Sequence, residues 1–390
     1  MIALEIVFWL SAGLIVWTQV GYAAALAVLD RVRGAGRGEV GERDERGERD
    51  ARELPALSLI VAAHDEERVI EAKVKNALAL DYPRERLEVI VACDGCSDRT
   101  AELARAAGAD VVIELPRGGK IRAQDAAVEH ARGEIVAFSD ANAIWDAGAA
   151  AALVSAFADP RVGYACGQVS FVRDGAVRGG ANQEGVYWRY ELALRARESR
   201  LSSITAGNGA IYATRRDAYI VVDPIMGHDL SLPFKMVKRG LRAVYVPSAR
   251  ATERMVPSLA GEFARKRRMM SHTWPILLRG GMLSPRGYPP GYALMILSHR
   301  VLRYLTPVLH AVALAANVAL VALGAGPLYV VTLVLQLALL LAAALAGVLG
   351  LRPLLIARYY VLTTASPAAG LWDWLRHGTP ASWEAAEGTR

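Results

Sequence analysis

The chain has 390 residues, of which 53% are hydrophobic, with a formal net charge of +6 and a mean hydropathy of +0.23. This composition excludes a disordered chain, because disorder requires low hydrophobicity and high net charge. Three cysteines exclude a disulfide-rich scaffold and favour a reducing compartment. The positive charge forms no basic stripe with interleaved aromatic residues, so it indicates arginines facing a membrane and no nucleic-acid partner.

The N-terminal segment predicts a transmembrane helix. It is uncharged from Ile6 to Leu29, which is long enough to cross a bilayer, and its length and acidic start argue against a cleaved signal peptide. Arg31 and Arg33 follow and indicate that the next segment is cytoplasmic, since lysine and arginine collect on that side. We therefore predict a transmembrane helix over residues 1–29 and a charged cytosolic linker over 30–54.

Between residues 55 and 262 the sequence alternates apolar runs, polar turns and helical patterns, as a parallel α/β sheet does. Short apolar runs of this kind are typical of buried parallel strands. Acidic residues follow three of these runs, and ligands of such sheets bind where parallel strands end, so these clusters should converge on one crevice. The runs are 57–63, 87–93, 111–113 and 134–139, and the acidic clusters are 64–67, 94–98 and 140–142.

The C-terminal third predicts further membrane contact. Residues 305–351 are almost wholly apolar and are broken at Gly324–Pro327, which favours two spans joined by a short external loop. Residues 263–304 mix arginine with apolar side chains at helical spacing, which favours amphipathic helices in the membrane surface. Residues 352–390 form either an interfacial helix or a third C-terminal membrane segment, followed by a cytosolic tail.

Ordered motifs in the middle region resemble those of the family 2 glycosyltransferases, inverting enzymes with the GT-A fold. Together with the flanking membrane helices, the resemblance covers most of residues 55–390. It implies a cytosolic α/β GT-A (nucleotide-diphospho-sugar transferase) domain over 55–262 with flanking transmembrane and interfacial helices. The motifs are Ser58–Glu67, Tyr82–Pro83, Leu87–Asp98, Gly118–Lys120, Asp140–Asn142, Gly207–Gly209, His228–Asp229 and Arg265–Met269.

On the donor side, the resemblance implies contacts with the base, ribose and diphosphate of a UDP-sugar. A lysine after two glycines can meet phosphate charge, and arginine forks suit phosphate oxygens. The alternatives are a helix cap for Asp98, a solvated lysine at 120, and a basic cluster at the lipid surface for 265–269. The implied nucleotide-sugar-binding residues are Ala62, Ala63, Asp65, Glu66, Asp94, Lys120, Asp140, Arg265 and Arg268.

Asp140 and Asn142 stand where the family has an Asp-x-Asp metal site, which implies Mg²⁺ or Mn²⁺ as cofactor. Hard oxygen ligands suit these ions, although Asn142 offers a carbonyl oxygen without charge, so Asp140 is the firmer ligand. The family places the general base at Asp229, with a helix N-cap as the alternative. His228 replaces an acidic partner and could titrate near neutrality.

The resemblance implies an acceptor-binding site at the glycine-rich turn Gly207–Gly209. His228 and Met269, which also belong to this site, depart from the family pattern. Glycine allows the backbone to approach a ligand closely, and an ordinary turn is the alternative. Met269 stands where polymer-forming members have tryptophan, which puts a polymer channel in doubt. Cys93 and Cys96 are interpreted as substitutions without function. The implied acceptor-binding residues are Gly207, Asn208, Gly209, His228 and Met269.

The resulting prediction is a multi-pass glycosyltransferase of the cell membrane with a cytoplasmic active site. A synthase of an extracellular β-linked polysaccharide, similar to hyaluronan, poly-N-acetylglucosamine and cellulose synthases, is slightly favoured. A single-sugar transferase to a lipid or lipid-linked acceptor is the alternative, because three spans are few for a polymer channel without a homo-oligomer or a small membrane partner. A catalytically silent nucleotide-sugar-binding protein is disfavoured, because Asp140, Asp229 and Arg268 are all in place.

Overall fold

A computed structural model describes residues 1–35, 54–173, 176–177, 183–254 and 259–381. Most of the predicted linker and the end of the predicted cytosolic tail lie outside the described residues. The predicted strands are confirmed, and they belong to a mixed sheet that continues with antiparallel strands. The described strands are β1 Leu57–Ala63, β2 Leu87–Asp94, β3 Val111–Leu115, β4 Ile135–Asp140, β5 Ile144–Trp145, β6 Val162–Arg173, β7 Ala176–Val177, β8 Tyr212–Arg215 and β9 Arg242–Arg254.

The sheet has the order β3-β2-β1-β4-β8-β6-β9-β5, and β7 pairs with β6. The first four strands are parallel, whereas β8 runs antiparallel to both β4 and β6. Ala62 at the end of β1 lies opposite Ala92 of β2 and opposite Asp140 of β4. The ends of these three strands therefore meet at one edge, which confirms the predicted convergence.

Helices cover both faces of the parallel half, which is why its strands are continuous apolar runs. Leu59 and Ile60 are adjacent in β1 yet enter separate hydrophobic cores, because successive side chains of a strand point to opposite faces. The helices are α1 Ile2–Val16, α2 Tyr22–Ala35, α3 Ile70–Leu78, α4 Thr100–Ala106, α5 Lys120–His130, α6 Ala149–Ser155, α7 Gln183–Leu201, α8 His228–Lys238, α9 Leu259–Leu278, α10 Pro290–Met295, α11 Leu302–Tyr304, α12 Thr306–Ala322, α13 Pro327–Leu349 and α14 Arg352–His377.

Two described helices are long and apolar enough to cross a membrane, Ile2–Arg33 and Pro327–Leu349. Helix α12 meets that criterion only together with Pro290–Tyr304, from which it is bent by 64°. The predicted break before α13 is confirmed by Gly324 and Gly326, both with positive φ. The sequence predicted two spans in 305–351, and by length and composition only the second qualifies by itself.

The flanking helices are attached to one another by polar contacts between distant parts of the chain. The Trp17 indole donates to the Ser298 hydroxyl over 3.0 Å, and the Trp274 indole donates to the Pro367 carbonyl over 2.8 Å. The second contact holds α9 against α14. The predicted interfacial segment 263–304 is therefore packed against α14.

A buried set of charged residues, here called the interhelical cluster, joins α7 to the segment before α12. His299 contacts Glu198 over 2.6 Å and Glu191 over 3.3 Å, and Arg303 pairs with Glu191 over 2.5 Å. The Arg300 guanidinium donates to a threonine hydroxyl at position 205. The cluster lies between the flanking helices and the loop that leads to Gly207.

Candidate functional site

Three carboxylates surround Lys120, the first residue of α5. Lys120 forms an ion pair with Asp140. Burial by itself would lower the pKa of Lys120, but the charges of Asp140, Asp229 and Glu253 outweigh this effect and raise it. These four residues, here called the Lys120 cluster, combine three positions that the sequence predicted with one that it did not.

Asp94 fixes the turn that presents Lys120. It is 1% exposed, and its carboxylate accepts hydrogen bonds from the backbone N–H groups of Gly118 and Gly119 over 2.6 and 2.9 Å. Gly119 has a φ of 97°, a region that favours glycine. The carboxylate of Asp94 thus organises the glycine-rich turn, and its contact with a uracil stays a prediction.

The loop after β1 is held against the loop after β2. Asp65, at a φ of 50°, accepts from the Ser97 N–H over 2.7 Å, and the Glu66 N–H donates to the Thr100 hydroxyl over 2.7 Å. Ala62 and Ala63 are almost completely buried at the end of β1. The four donor-side residues 62, 63, 65 and 66 therefore lie at the same edge of the sheet as the Lys120 cluster.

The N-cap of α4 is Arg99, so the N-cap alternative for Asp98 is wrong, although Asp98 still binds the start of this helix. Its carboxylate accepts from the N–H of Thr100, the first residue of α4, and from the Glu67 N–H, each over 3.0 Å. Asp65, Cys96 and Asp98 also bring three potential metal-ligand atoms within 4.8 Å of one another, which the sequence analysis did not predict. Both carboxylates of this trio already accept hydrogen bonds from backbone N–H groups.

Asp229 is the second residue of α8 and is partly exposed. The N-cap of this helix is Gly227, so the N-cap alternative for Asp229 is wrong. The backbone carbonyl of Asp229 accepts from the Gly207 N–H over 2.7 Å. This bond ties the predicted base to the predicted acceptor loop.

His228 lies in the core, at 2% exposure. Its ring nitrogens contact the hydroxyls of Tyr212 and Tyr219 over 2.9 and 3.2 Å, and the Tyr219 hydroxyl donates to Asp125 over 2.6 Å. Burial, followed by the charge of Lys120, lowers the pKa of His228 to about 3. The titration near neutrality considered from the sequence is therefore wrong, and the imidazole is neutral at physiological pH.

The acceptor loop depends on glycine for two different reasons. A Cβ on Gly207 would overlap the Tyr164 hydroxyl, and a Cβ on Gly209 would lie 3.3 Å from the Lys120 Nζ. The Asn208 amide donates to the Gly167 carbonyl over 2.7 Å, while its oxygen accepts from the Ile211 N–H over 2.9 Å. The Asn208 side chain thus braces the loop, and Gly209 brings the backbone next to Lys120.

The basic run on α9 divides between two faces of the helix, as side chains three and four positions apart share a face. Lys266 donates to the Tyr359 hydroxyl over 2.8 Å, and Arg267 pairs with Asp373 over 2.5 Å, so both face α14. Arg265 acts on the pKa of Glu253, which places it on the side of the Lys120 cluster. Arg268 and Asp229 both act on the pKa of His272. Met269 is 44% exposed.

The sequence did not predict two charged residues of this region, the partly buried Glu253 and the fully buried Lys73. Burial and the charge of Asp140 raise the pKa of Glu253 to about 7, although Lys120, Arg265 and Lys73 act in the opposite direction. Lys73 is fully buried, and its ammonium donates to the Ala143 carbonyl over 2.7 Å. The signal for Lys73 was available, because it stands on the apolar face of α3 with Ile70, Val74 and Ala77.

The last described residues reach the same turn. The Thr379 hydroxyl donates to the Ser271 carbonyl over 3.0 Å, and a Cβ on Gly119 would overlap the Ala381 carbonyl. The chain that follows α14 therefore passes beside the turn before Lys120.

Comparison with known proteins gives one family match. The family described as "Glycosyltransferase like family 2" matches residues 55–271. This range contains the Lys120 cluster together with Arg265 and Arg268 of α9.

Curated relatives and a solved structure are similar to the chain over different lengths. The poly-beta-1,6-N-acetyl-D-glucosamine synthase of Staphylococcus aureus is 25% identical over 236 residues, which are 58% of this chain and 57% of that protein. The chain thus matches little more than half the length of this relative. The probable glycosyltransferase YdaM of Bacillus subtilis is 32% identical over 99 residues, which are 23% of this chain and 24% of that protein.

The structure of the mannosyltransferase PcManGT from Pyrobaculum calidifontis, in complex with GDP-Man and Mn²⁺, has the same fold. It superimposes with a TM-score of 0.66 at 24% identity and covers 94% of this chain and 99% of that chain. The GT-A-like fold expected from the motifs is therefore confirmed.

Proposed function

The chain belongs to the family 2 glycosyltransferases, and we propose that it moves a sugar from a UDP-sugar to an acceptor hydroxyl with inversion at the anomeric carbon. The observation that carries the proposal is the Lys120 cluster. A cation, a carboxylate at the end of a parallel strand and a partly exposed carboxylate on a facing helix meet at one edge of the sheet, where ligands of such sheets bind.

In this proposal Asp229 is the general base. Its carboxylate takes the proton of the acceptor hydroxyl, the acceptor oxygen bonds to the anomeric carbon, and the bond from that carbon to the diphosphate breaks with its electron pair. The bond from Gly207 to the Asp229 backbone supports this role, because it fixes the base relative to the loop at which the acceptor is proposed to bind. Asn208 and Gly209 shape that loop.

The diphosphate leaves with the negative charge that develops on it. Lys120, Arg265 and Arg268 are proposed to stabilise that charge, because preorganised cations in a site of low water content lower the free energy of such a transition state. Asp94 contributes by fixing the glycine-rich turn before Lys120. The loop residues 62–66 are proposed to contact the nucleoside.

Asp140 and Asn142 are proposed to hold Mg²⁺ or Mn²⁺. The donor set fits, since carboxylate and amide oxygens are hard ligands, and the neighbouring Glu253 has a buried carboxylate oxygen that lacks a hydrogen-bond partner among the described residues. When bound, the ion would neutralise charge on the diphosphate.

The enzyme is proposed to be a multi-pass protein of the cell membrane with its active site on the cytoplasmic side. Two helices of sufficient length and apolar character support the membrane location, and Arg31 and Arg33 after the first of them support the orientation. Phe8 and Tyr329, on these two helices, pack with their ring centroids 5.6 Å apart.

We propose that the acceptor is a growing β-linked polysaccharide, because curated relatives at 25% identity are poly-beta-1,6-N-acetyl-D-glucosamine synthases. The second candidate is transfer of a single sugar to a lipid-linked acceptor. It is favoured by the exposed Met269 and by the small number of apolar helices among the described residues, because few helices are available to enclose a polymer channel.

The test is nucleotide release by the full-length protein in detergent or nanodiscs, with a panel of UDP-sugars and with GDP-mannose, in Mn²⁺ or Mg²⁺. UDP-N-acetylglucosamine is the first donor to try. Asp229→Asn should lower turnover at least about 10²-fold. Asp223→Asn, which changes an exposed aspartate before the same helix, is the matched control. Long products support the synthase, whereas a single added sugar on lipid supports the second candidate. No turnover with any donor, with polymer and lipid acceptors supplied, contradicts both.

A further inference from the structure

Glu253 stands beside the proposed metal ligands. Strand β9 pairs antiparallel with β5, and the last paired residues are Thr252 with Ile144. The next residue of β9 is Glu253, and the next residue back along the other strand lies in the turn after Asp140. The backbone therefore brings Glu253 to the same turn that carries Asn142.

The carboxylate of Glu253 is turned inward. Its Oε1 is buried and has no hydrogen-bond partner among the described residues. A buried carboxylate oxygen without a partner is unfavourable, so a native structure retains one mainly where a ligand or an ion completes it.

Two of the three cations that act on Glu253 have other partners, and the third is Arg265. The Lys120 ammonium is paired with Asp140, and the Lys73 ammonium donates to the Ala143 carbonyl over 2.7 Å. The charge of Asp140 raises the pKa of Glu253, so the two carboxylates lie close enough to repel each other. A divalent cation between the two carboxylates would turn this repulsion into attraction.

The charge of the turn points in the same direction. Asp140 and Asn142 together carry one negative charge, which is little for a divalent ion that must leave its hydration shell. A second carboxylate from another strand would supply the charge that Asn142 lacks.

We propose that Glu253 is a ligand of the divalent cation held by Asp140 and Asn142. The inference rests on the metal dependence of the proposed function. Glu253 thereby joins the antiparallel half of the sheet to the metal, whereas Asp140 comes from the parallel half.

The test is Mn²⁺ titration of the full-length protein, followed by the electron paramagnetic resonance signal of free Mn²⁺, with UDP and with GDP present. Glu253→Gln should weaken Mn²⁺ binding at least about tenfold. Glu114→Gln, which neutralises an exposed glutamate paired with Arg105, is the matched control and should bind as the wild type does.

A second variant separates direct ligation from a general charge effect. Glu253→Cys offers a soft thiolate, which favours Cd²⁺ over Mn²⁺, so it should bind Cd²⁺ at least about tenfold more tightly than Glu253→Gln. Glu253→Asp keeps the carboxylate and serves as the reference if Glu253→Gln does not fold. In that case Cd²⁺ and Mn²⁺ binding are compared between Glu253→Asp and Glu253→Cys. Circular dichroism and melting temperatures report folding.

The outcomes are distinct. Wild-type Mn²⁺ binding that is unchanged in Glu253→Gln, or the absence of any gain for Cd²⁺ in Glu253→Cys, overturns the ligation by Glu253 and leaves the proposed function intact. Absence of Mn²⁺ binding by the wild type with both nucleotides overturns the inference together with the metal of the proposed function.

Discussion

The protein has two groups of interacting charged residues, one buried and one partly buried, and their hydrogen bonding differs. In the interhelical cluster, Glu198 accepts from the Tyr22 hydroxyl over 2.7 Å and from the Thr205 N–H over 3.1 Å, and it contacts His299 over 2.6 Å. In the Lys120 cluster, three carboxylates share one region, and Glu253 keeps a buried oxygen without a partner among the described residues. The first group is complete by itself, and the second has unused capacity for a ligand.

The difference shows how structural charges can be told from functional ones. A buried, fully paired charge holds two structural elements together. Its removal destabilises the protein, because the partner charge stays buried without compensation. Carboxylates forced together with perturbed pKa values are typical of sites that act on ligands. The comparison therefore predicts that changes in the Lys120 cluster reduce activity and leave the fold intact, and that changes in the interhelical cluster reduce stability.

Asp229→Asn should have the largest effect. Loss of the general base should lower kcat by about 10²- to 10⁴-fold, with a melting temperature close to that of the wild type, because the asparagine retains the shape of the side chain. Steady-state nucleotide release measures the first quantity and differential scanning fluorimetry the second. If Asp229→Asn unfolds at a lower temperature and keeps its kcat, Asp229 has a structural role and the assignment of the Lys120 cluster to catalysis is wrong.

Glu198→Ala should destabilise the protein by about 3–5 kcal/mol, because it leaves His299 with only its longer contact to Glu191 and removes a carboxylate that compensates the buried charge of Arg300. Thermal unfolding in detergent measures the loss. Glu102→Ala removes an exposed glutamate paired with Arg99 and should leave the melting temperature unchanged. If Glu198→Ala kept its stability and lost turnover, the interhelical cluster would belong to the site.

Asp125 lies next to the Lys120 cluster without belonging to it, because it accepts a hydrogen bond from Tyr219, which contacts His228. We expect it to affect stability. Burial raises its pKa to about 6, from an ordinary value of about 3.9. A raised carboxyl pKa contributes stability that is present below about pH 4 and is lost as the pH rises through about 6.

Asp125→Asn removes this dependence. Between pH 4 and pH 7 the wild type should therefore lose up to about 3 kcal/mol of stability relative to the variant. Parallel curves of melting temperature against pH for the two proteins would show that Asp125 titrates normally.

Cys96→Ser should have the smallest effect, with turnover and Mn²⁺ affinity within about twofold of the wild type, which is under 0.5 kcal/mol. The carboxylates of Asp65 and Asp98 beside Cys96 already accept from the backbone N–H groups of Ser97 and Thr100. Loss of Mn²⁺ binding in this variant would move the metal site from Asp140 to that trio. Cys166→Ser, at a buried cysteine outside the trio, is the control for loss of a thiol.

Local patterns were sufficient for the parallel half of the sheet. Each of its strands is a short apolar run with a polar turn after it. The ends of those runs place Asp94 and Asp140 at the ends of β2 and β4, and Lys120 at the start of the helix after β3. The sequence also identified the break before α13, since glycine and proline act within a few residues of the chain.

The sequence determined the family, the strands of the parallel half and the edge at which their acidic residues gather, because these features depend on neighbours in the chain. Only the tertiary structure decided that Glu253 joins Asp140, that Lys73 supports the turn after it, and that His228 is a buried neutral ring. Glu253 and Asp140 come together through the pairing of β9 with β5. Lys73 contacts Ala143 across 70 positions of the chain. His228 is neutral because the folded chain buries it. Burial and long-range charge are properties of the folded chain, and no local pattern encodes them.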